Sequence, residues 1–257
     1  MLAVDAMLGD EPLASPEAIE AMRAHAIEDY PNEAVGFLLN DGRYERQQNV
    51  CSDPTVGAAV HPDVLRKALV KGSLRAFFHS HPDGPDCPSK QDMLSQQEQE
   101  IPWIICSANA SASMAPFAFG DQLVNPAPLI GRPFRHGVTD CYAAIRAYGQ
   151  EEYGVLLPEF PRQWEWWLDG MSDMYRQGFE QAGFHAIDAT EVRPGDCWLA
   201  QIRAPVPNHA GVYIGEGLTF HHVSSSLASD PAKLSKREPL GRWQPYITQW
   251  LRRDDWC

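Results

Sequence analysis

Two small groups of residues in this sequence have the types and spacing for bond-breaking chemistry. His79 and His81 lie two apart, and Asp92 follows eleven residues beyond His81. In an extended strand, residues two apart share a face. Both imidazoles can then reach one ion, and a helix docked beside the strand can bring Asp92 as a third ligand. Three protein ligands leave a fourth position open to water, which distinguishes a catalytic from a structural zinc site. Zinc lowers the pKa of such a water to about 7. A base must take its proton, and Glu33, just ahead of the apolar run 34–39, is the candidate.

The second group centres on Cys141. It follows Asp140, which is placed to cap a helix. A helix N-terminus favours negative charge, and cysteines there gain nucleophilicity as thiolates. Such a thiol needs a base, usually histidine, and a group that orients the base. His209 opens the strand-like HAGVYIG, and His221 opens HHV in the next one. Gly215-Glu216-Gly217 joins the two, so a hairpin would bring the histidines side by side. Cys51, Cys87, Cys106, Cys197 and Cys257 read as small buried hydrophobes. The six cysteines form no CxxC pair, so a disulfide framework is not expected and a reducing compartment fits.

The elements that must position these groups are legible in outline. Ser15-Pro16 starts a helix, with Ser as N-cap and Pro in the first turn, and Ala18, Met22 and Ala26 keep its period up to Tyr30-Pro31. Asn40-Asp41-Gly42 between two strand-like runs predicts a hairpin. A helix is expected from Pro62 to Lys71, then a strand from Leu74 to Phe78 that the chain leaves at His79. Ser89 caps a helix through about Glu100, and short strands follow near 103–107 and 115–119. The proline-rich DQLVNPAPLIGRP reads as a linker. Beyond it, Asp140 caps a helix through Tyr148, and the aromatic run QWEWWLDGMSDMYRQGFEQAG predicts a further helical region. Three short strands follow. The expected organisation is 1–120, a linker at 121–132, and 133–257.

The string HSHPDGPDCPSKQD fits H-x-H-P-x6-S-x2-D residue by residue, with Glu33 upstream in E-x-x-G-F-L. It resembles the JAMM (MPN-plus) metalloproteases over roughly residues 15–120. The resemblance implies a cytidine-deaminase-like sandwich, with zinc held by His79, His81, Asp92 and a water. It further implies Glu33 as general acid/base and Ser89 as a donor to the tetrahedral oxyanion, a role typically worth about 10²–10³ in rate.

GRPFRHGVTDCYAAI, RPGDCWLA and NHAGVYIG, with a histidine downstream, resemble the NlpC/P60 cysteine peptidases over roughly residues 130–235. These have a papain-like fold and commonly cut bonds next to D-amino acids in peptidoglycan stem peptides. The resemblance implies Cys141 as nucleophile and His209 as base. Its third polar residue falls twelve positions after that histidine, at His221, which leaves His222 on the opposite strand face in a structural role. One departure is Ala143, where the family often has Gly; Ala is the better helix former, so tolerance is expected. Trp164, Trp166 and Trp167 lie in a long insertion between Cys141 and His209. They could line a substrate cleft, with packing the expected role.

The order of the two domains, and the stretch AQIRAPVPNHAGVYIGEG followed by HHV, resemble the tail tip assembly protein K family of lambda-like siphophages. That implies a two-domain α+β/α/β protein made in the bacterial host cytoplasm and acting at the phage tail tip. It also implies tail tip proteins as partners and peptidoglycan peptides as substrate of the cysteine site. The zinc site would cut a peptide or isopeptide bond, with a tail protein as one candidate. The alternative is an assembly factor that uses both folds for binding without catalysis. The net charge of −13 and the lack of a Lys/Arg cluster exclude a nucleic-acid partner on electrostatic grounds. No run of 18 apolar residues predicts a membrane span, and the opening MLAVDAMLGDEP lacks the basic start and apolar run of a signal peptide.

Overall fold

Ser15 accepts the amide of Ala18 and Pro16 sits in the first turn, so α1 (Pro16–Glu28) begins where the capping chemistry puts it. Its buried residues Ala18, Met22, His25 and Ala26 form one helical stripe. That stripe covers one face of a five-stranded sheet. In chain order the strands are β1 (Val35–Leu39), β2 (Tyr44–Gln47), β3 (Leu74–Pro82), β4 (Trp103–Ala108) and β5 (Phe117–Phe119), with α2 (Pro62–Val70) and α3 (Lys90–Gln99) between them. The spatial order is β2-β1-β3-β4-β5, and only the β3–β4 pairing is parallel. Strand alternation divides β3 between two faces. Ala76 and Phe78 join the core beneath α1 with Met22, Leu38 and Ile104, whereas Phe77 and His79 lie against Trp103.

The computed structural model describes every residue except Val4, Asp169, Met171, Ser224, Ser225 and Cys257; the expectation for Cys257 falls outside the described residues. The chain divides into two units, Met1–Pro126 and Ala127–Cys257. Leu123–Val124, within the stretch read as a linker, pairs with Met7–Leu8 in a small sheet of the first unit. The strand expected to end at His79 instead continues to Pro82. Parallel pairing with β4 extends to Pro82 opposite Ala108, so both histidines are held in register.

The second unit is built on α4 (Cys141–Tyr153), capped by Asp140 and closed by Gly154 in the left-handed region. Its six-stranded antiparallel sheet contains β6 (His185–Ile187), β7 (Cys197–Ala200), β8 (His209–Gly215), β9 (Leu218–His221), β10 (Lys236–Pro239) and β11 (Ile247–Arg252), in the order β6-β11-β7-β8-β9-β10. One face buries Ile145 of α4 with Leu199, Ala210, Val212 and Leu251. The other carries Trp198, Ala200 and Leu240 with Trp243. The aromatic run is not the helical region its period predicts. Among the described residues only α5 (Met174–Gly178) is helical there. Glu165 and Gly170 both adopt positive φ, which an α-helix cannot contain, and Asp173 caps the restart. Cys87, Cys106, Cys141 and Cys197 are buried free thiols, Cys51 is half-buried, and none of these forms a disulfide. Among the described residues no helix is long and apolar enough to cross a membrane.

Candidate functional sites

In the first unit three potential ligands converge. His79 Nε2 and His81 Nε2 are 3.1 Å apart. Asp92 presents Oδ1 to His79 and Oδ2 to His81, each at 3.4 Å. β3 supplies the two imidazoles from one face, and the first turn of α3 supplies the carboxylate. Ser89 fixes that turn through a reciprocal capping box: its Oγ accepts the Asp92 amide at 3.1 Å, and Asp92 Oδ2 accepts the Ser89 amide at 2.7 Å. His81 Nδ1 donates to the Pro85 carbonyl at 3.1 Å, so Nε2 of the neutral ring keeps its lone pair. Two imidazole nitrogens and two carboxylate oxygens thus face one another, a donor set that suits a divalent cation such as zinc.

The electrostatics agree. Burial opposes ionisation of Asp92, but His79 and His81 outweigh it and hold the carboxyl well below the usual range. Burial alone would lower His81, and the Asp92 carboxylate instead raises it. Glu33 is buried, and that burial raises its pKa against the opposing pull of His79 and His81. The backbone at Glu33 is pinned by its amide to Pro54 at 2.6 Å and by its carbonyl to Asn49 at 2.9 Å. A further contact was not legible in sequence. Ser80, the spacer between the two histidines, accepts the Ala34 amide through its buried Oγ at 2.8 Å and donates its own amide to the Ala34 carbonyl. The ligand strand is therefore tied directly to the segment carrying Glu33.

In the second unit the N-terminus of α4 places Cys141 against β8, where the Ala210 amide hydrogen-bonds the thiol. Sγ lies 3.0 Å from the Tyr175 hydroxyl on α5. The thiolate expected at a helix N-terminus is not the resting form. Burial, followed by the charge of neighbouring Asp140, pushes the thiol up to about 11. Asp140 consumes the helix terminus as its cap, accepting the Ala143 amide at 2.9 Å and the Gly137 amide at 2.8 Å. Buried Arg162 grips both carboxylate oxygens, at 2.9 and 3.0 Å, which holds Asp140 ionised despite its burial.

The two histidines are brought together as a hairpin would place them. His209 Nε2 and His221 Nδ1 are 2.9 Å apart, and both rings are fully buried. Gly211 makes room for this: a Cβ there would come within 2.4 Å of Trp198 and 2.9 Å of His221. His209 Nδ1 is buried without a hydrogen-bond partner. His222 turns away, donating through Nε2 to the Lys233 carbonyl at 3.1 Å, with its ring against Phe134. Trp166 and Trp167 border a cavity together with Cys141, Tyr175 and Phe160, whereas Trp164 packs on His136 and Trp167. Sequence reasoning missed Tyr175 and Arg162. Both lie in the insertion, whose local pattern gives no sign that it folds over the thiol.

Comparison with known proteins places both stretches of the chain in families. Residues 15–119 match the family described as prokaryotic homologs of the JAB domain, and residues 131–247 match the NlpC/P60 family. Tail tip assembly protein K of Escherichia phage N15 is 29% identical over 248 residues, spanning 93% of this chain and 95% of that protein. Tail tip assembly protein K of Escherichia phage lambda is 33% identical over 194 residues, spanning 75% of this chain and 84% of that protein. A probable TtuB-protein conjugate cleaving protease of Thermus thermophilus is 35% identical over 95 residues, 34% of this chain and 64% of that protein. The expected fold class holds: a JAB/MPN-like domain precedes an NlpC/P60 domain.

Proposed function

The chain belongs to the tail tip assembly protein K family, and from that premise we propose that it is a tail tip assembly protein with two peptidase sites. The observation that carries the cysteine site is His209 Nδ1, a buried imidazole nitrogen with no partner in a ring otherwise tied to His221. It lies one residue from the amide that bonds the Cys141 thiol. A protonated thiol and a neutral imidazole make a resting nucleophile and base. As sulfur attacks the peptide carbonyl, its proton passes to His209, which delivers it to the leaving amine; water then releases the acyl-enzyme. His221 holds the ring. The substrate we assign is a peptidoglycan stem peptide, cut during DNA entry.

In the first domain His79, His81 and Asp92 would hold zinc, which supplies a Lewis acid and an acidified water. Glu33, whose pKa burial raises, is the group that moves the proton. Ser89 retains its hydroxyl proton while acting as cap, and that proton is the donor for the oxyanion. The substrate is a peptide or isopeptide bond, with a tail protein as the candidate. The two activities occupy residues 1–120 and 133–257, with tail tip proteins as partners and the host cytoplasm and tail tip as their setting.

The competing reading is an assembly factor whose folds serve binding alone. Phage carrying Cys141→Ala or Asp92→Ala should give clearly reduced yields while the variant proteins stay folded. Wild-type yields from both would establish the binding-only reading. Asp92→Ala should also lower the bound zinc of purified protein; full retention would remove Asp92 from the ligand set.

A further inference from the structure

We propose that Glu238 is a positioning residue of the cysteine site, which acts through His221 to fix the proton of His209 on Nε2. The inference deepens the peptidase reading, but its test does not depend on turnover.

A chain of hydrogen bonds links Glu238 to His209 through His221. Glu238 lies on β10 two residues from Lys236, which pairs opposite His221 on β9. Its Oε1 is 2.7 Å from His221 Nε2 and accepts the Trp243 indole N–H at 3.0 Å. Its Oε2 faces Lys236 at 3.0 Å and Arg242 at 3.3 Å. With two cations and two ring donors around it, the group is a carboxylate, which only accepts hydrogen bonds. The proton between it and His221 therefore resides on His221 Nε2. In the neutral ring, His221 Nδ1 is then an acceptor, and its 2.9 Å contact obliges His209 Nε2 to donate. The remaining lone pair of His209 falls on Nδ1, the atom left buried and unpaired. Each step is forced by the one before, and the chain ends on the nitrogen that must receive the Cys141 proton.

Reversal shows what Glu238 prevents. Without its acceptor, His221 can carry its proton on Nδ1 and donate to His209 Nε2. His209 then carries its own proton on Nδ1 and cannot deprotonate the thiol. Loss of an orienting carboxylate that leaves the wrong tautomer costs about 10⁴ in rate in a serine protease. With an imidazole interposed here, a fall of about 10²-fold is expected.

The test is ¹⁵N NMR of the full chain labelled at histidine. Wild-type protein should show His209 and His221 protonated at Nε2 alone. Glu238→Ala should show mixed tautomers at both, with turnover reduced. Glu238→Gln should restore the wild-type tautomers, because its amide oxygen can accept from Trp243 and His221 together. His222, bonded independently to Lys233, should be unchanged throughout and reports an intact fold. A wild-type His209 protonated at Nδ1 overturns the proposal, whether or not Glu238→Ala folds. So does a folded Glu238→Ala that keeps the single Nε2 tautomer. The predicted tautomers in a protein without peptidase activity would sustain the positioning role and defeat the peptidase reading instead.

Discussion

The two halves of the molecule handle buried polar groups in opposite ways. The cluster of His79, His81 and Asp92 is convergent: nitrogens and oxygens with lone pairs point at a common centre. The cysteine site is sequential, each group handing its hydrogen bond to the next from Glu238 through His221 to His209. A convergent set of acceptors is completed by a cation from outside, whereas a sequential chain is completed by its own residues. One site should therefore respond to metal and the other to substitution along its chain. The surrounding charges follow the same division. Asp92 is held ionised by two histidines, while Asp140 is held ionised by a buried guanidinium.

The largest expected effect sharpens this contrast at the thiol. Cys141→Ala should abolish peptide cleavage by the second domain while leaving its thermal melt nearly unchanged; loss of folding would make Cys141 a core residue. Next is the buried ion pair. Arg162→Met leaves Asp140 uncompensated, a change that typically costs about 3–5 kcal/mol. Urea unfolding should show that loss in the second unit alone. Metal should do the converse. Zinc at about 100 times its Kd stabilises the folded form by about 2.7 kcal/mol, so chelation should lower the melt of the first unit and spare the second. Asp92→Ala should erase that response. An equal response of both units to chelator would break the comparison.

The smallest effect concerns Tyr175. With the thiol at about 11, alkylation at Cys141 should be slow near neutrality and rise steeply as pH approaches that value. Peptide mass spectrometry separates it from half-buried Cys51. Tyr175 donates to sulfur and so favours the thiolate, and Tyr175→Phe should shift the alkylation profile to higher pH. A shift the other way would make the hydroxyl a barrier to ionisation.

What was legible in sequence were groups whose geometry is set locally. Two histidines at strand spacing, an aspartate in the turn capped by Ser89, a cysteine behind a capping Asp140, and histidines across a Gly-rich hairpin all follow from short-range rules. The missed residues owe their place to tertiary pairing. Glu238 reaches His221 only because β10 pairs with β9, and Ser80 reaches Ala34 only through the β1–β3 register. Tyr175 and Arg162 come from an aromatic run whose period promised a helix. Positive φ at Glu165 and Gly170 breaks it into loop and a single short helix, which bends the run over the cysteine site.

The claim that two independent sites share one chain is tested most directly on peptidoglycan fragments, with products followed by mass spectrometry for wild type, Cys141→Ala and Asp92→Ala in parallel. Wild type and Asp92→Ala should release the same stem-peptide fragments, and Cys141→Ala none. Cleavage that survives in Cys141→Ala, or disappears in a folded Asp92→Ala, would contradict the assignment of wall-peptide chemistry to the cysteine site.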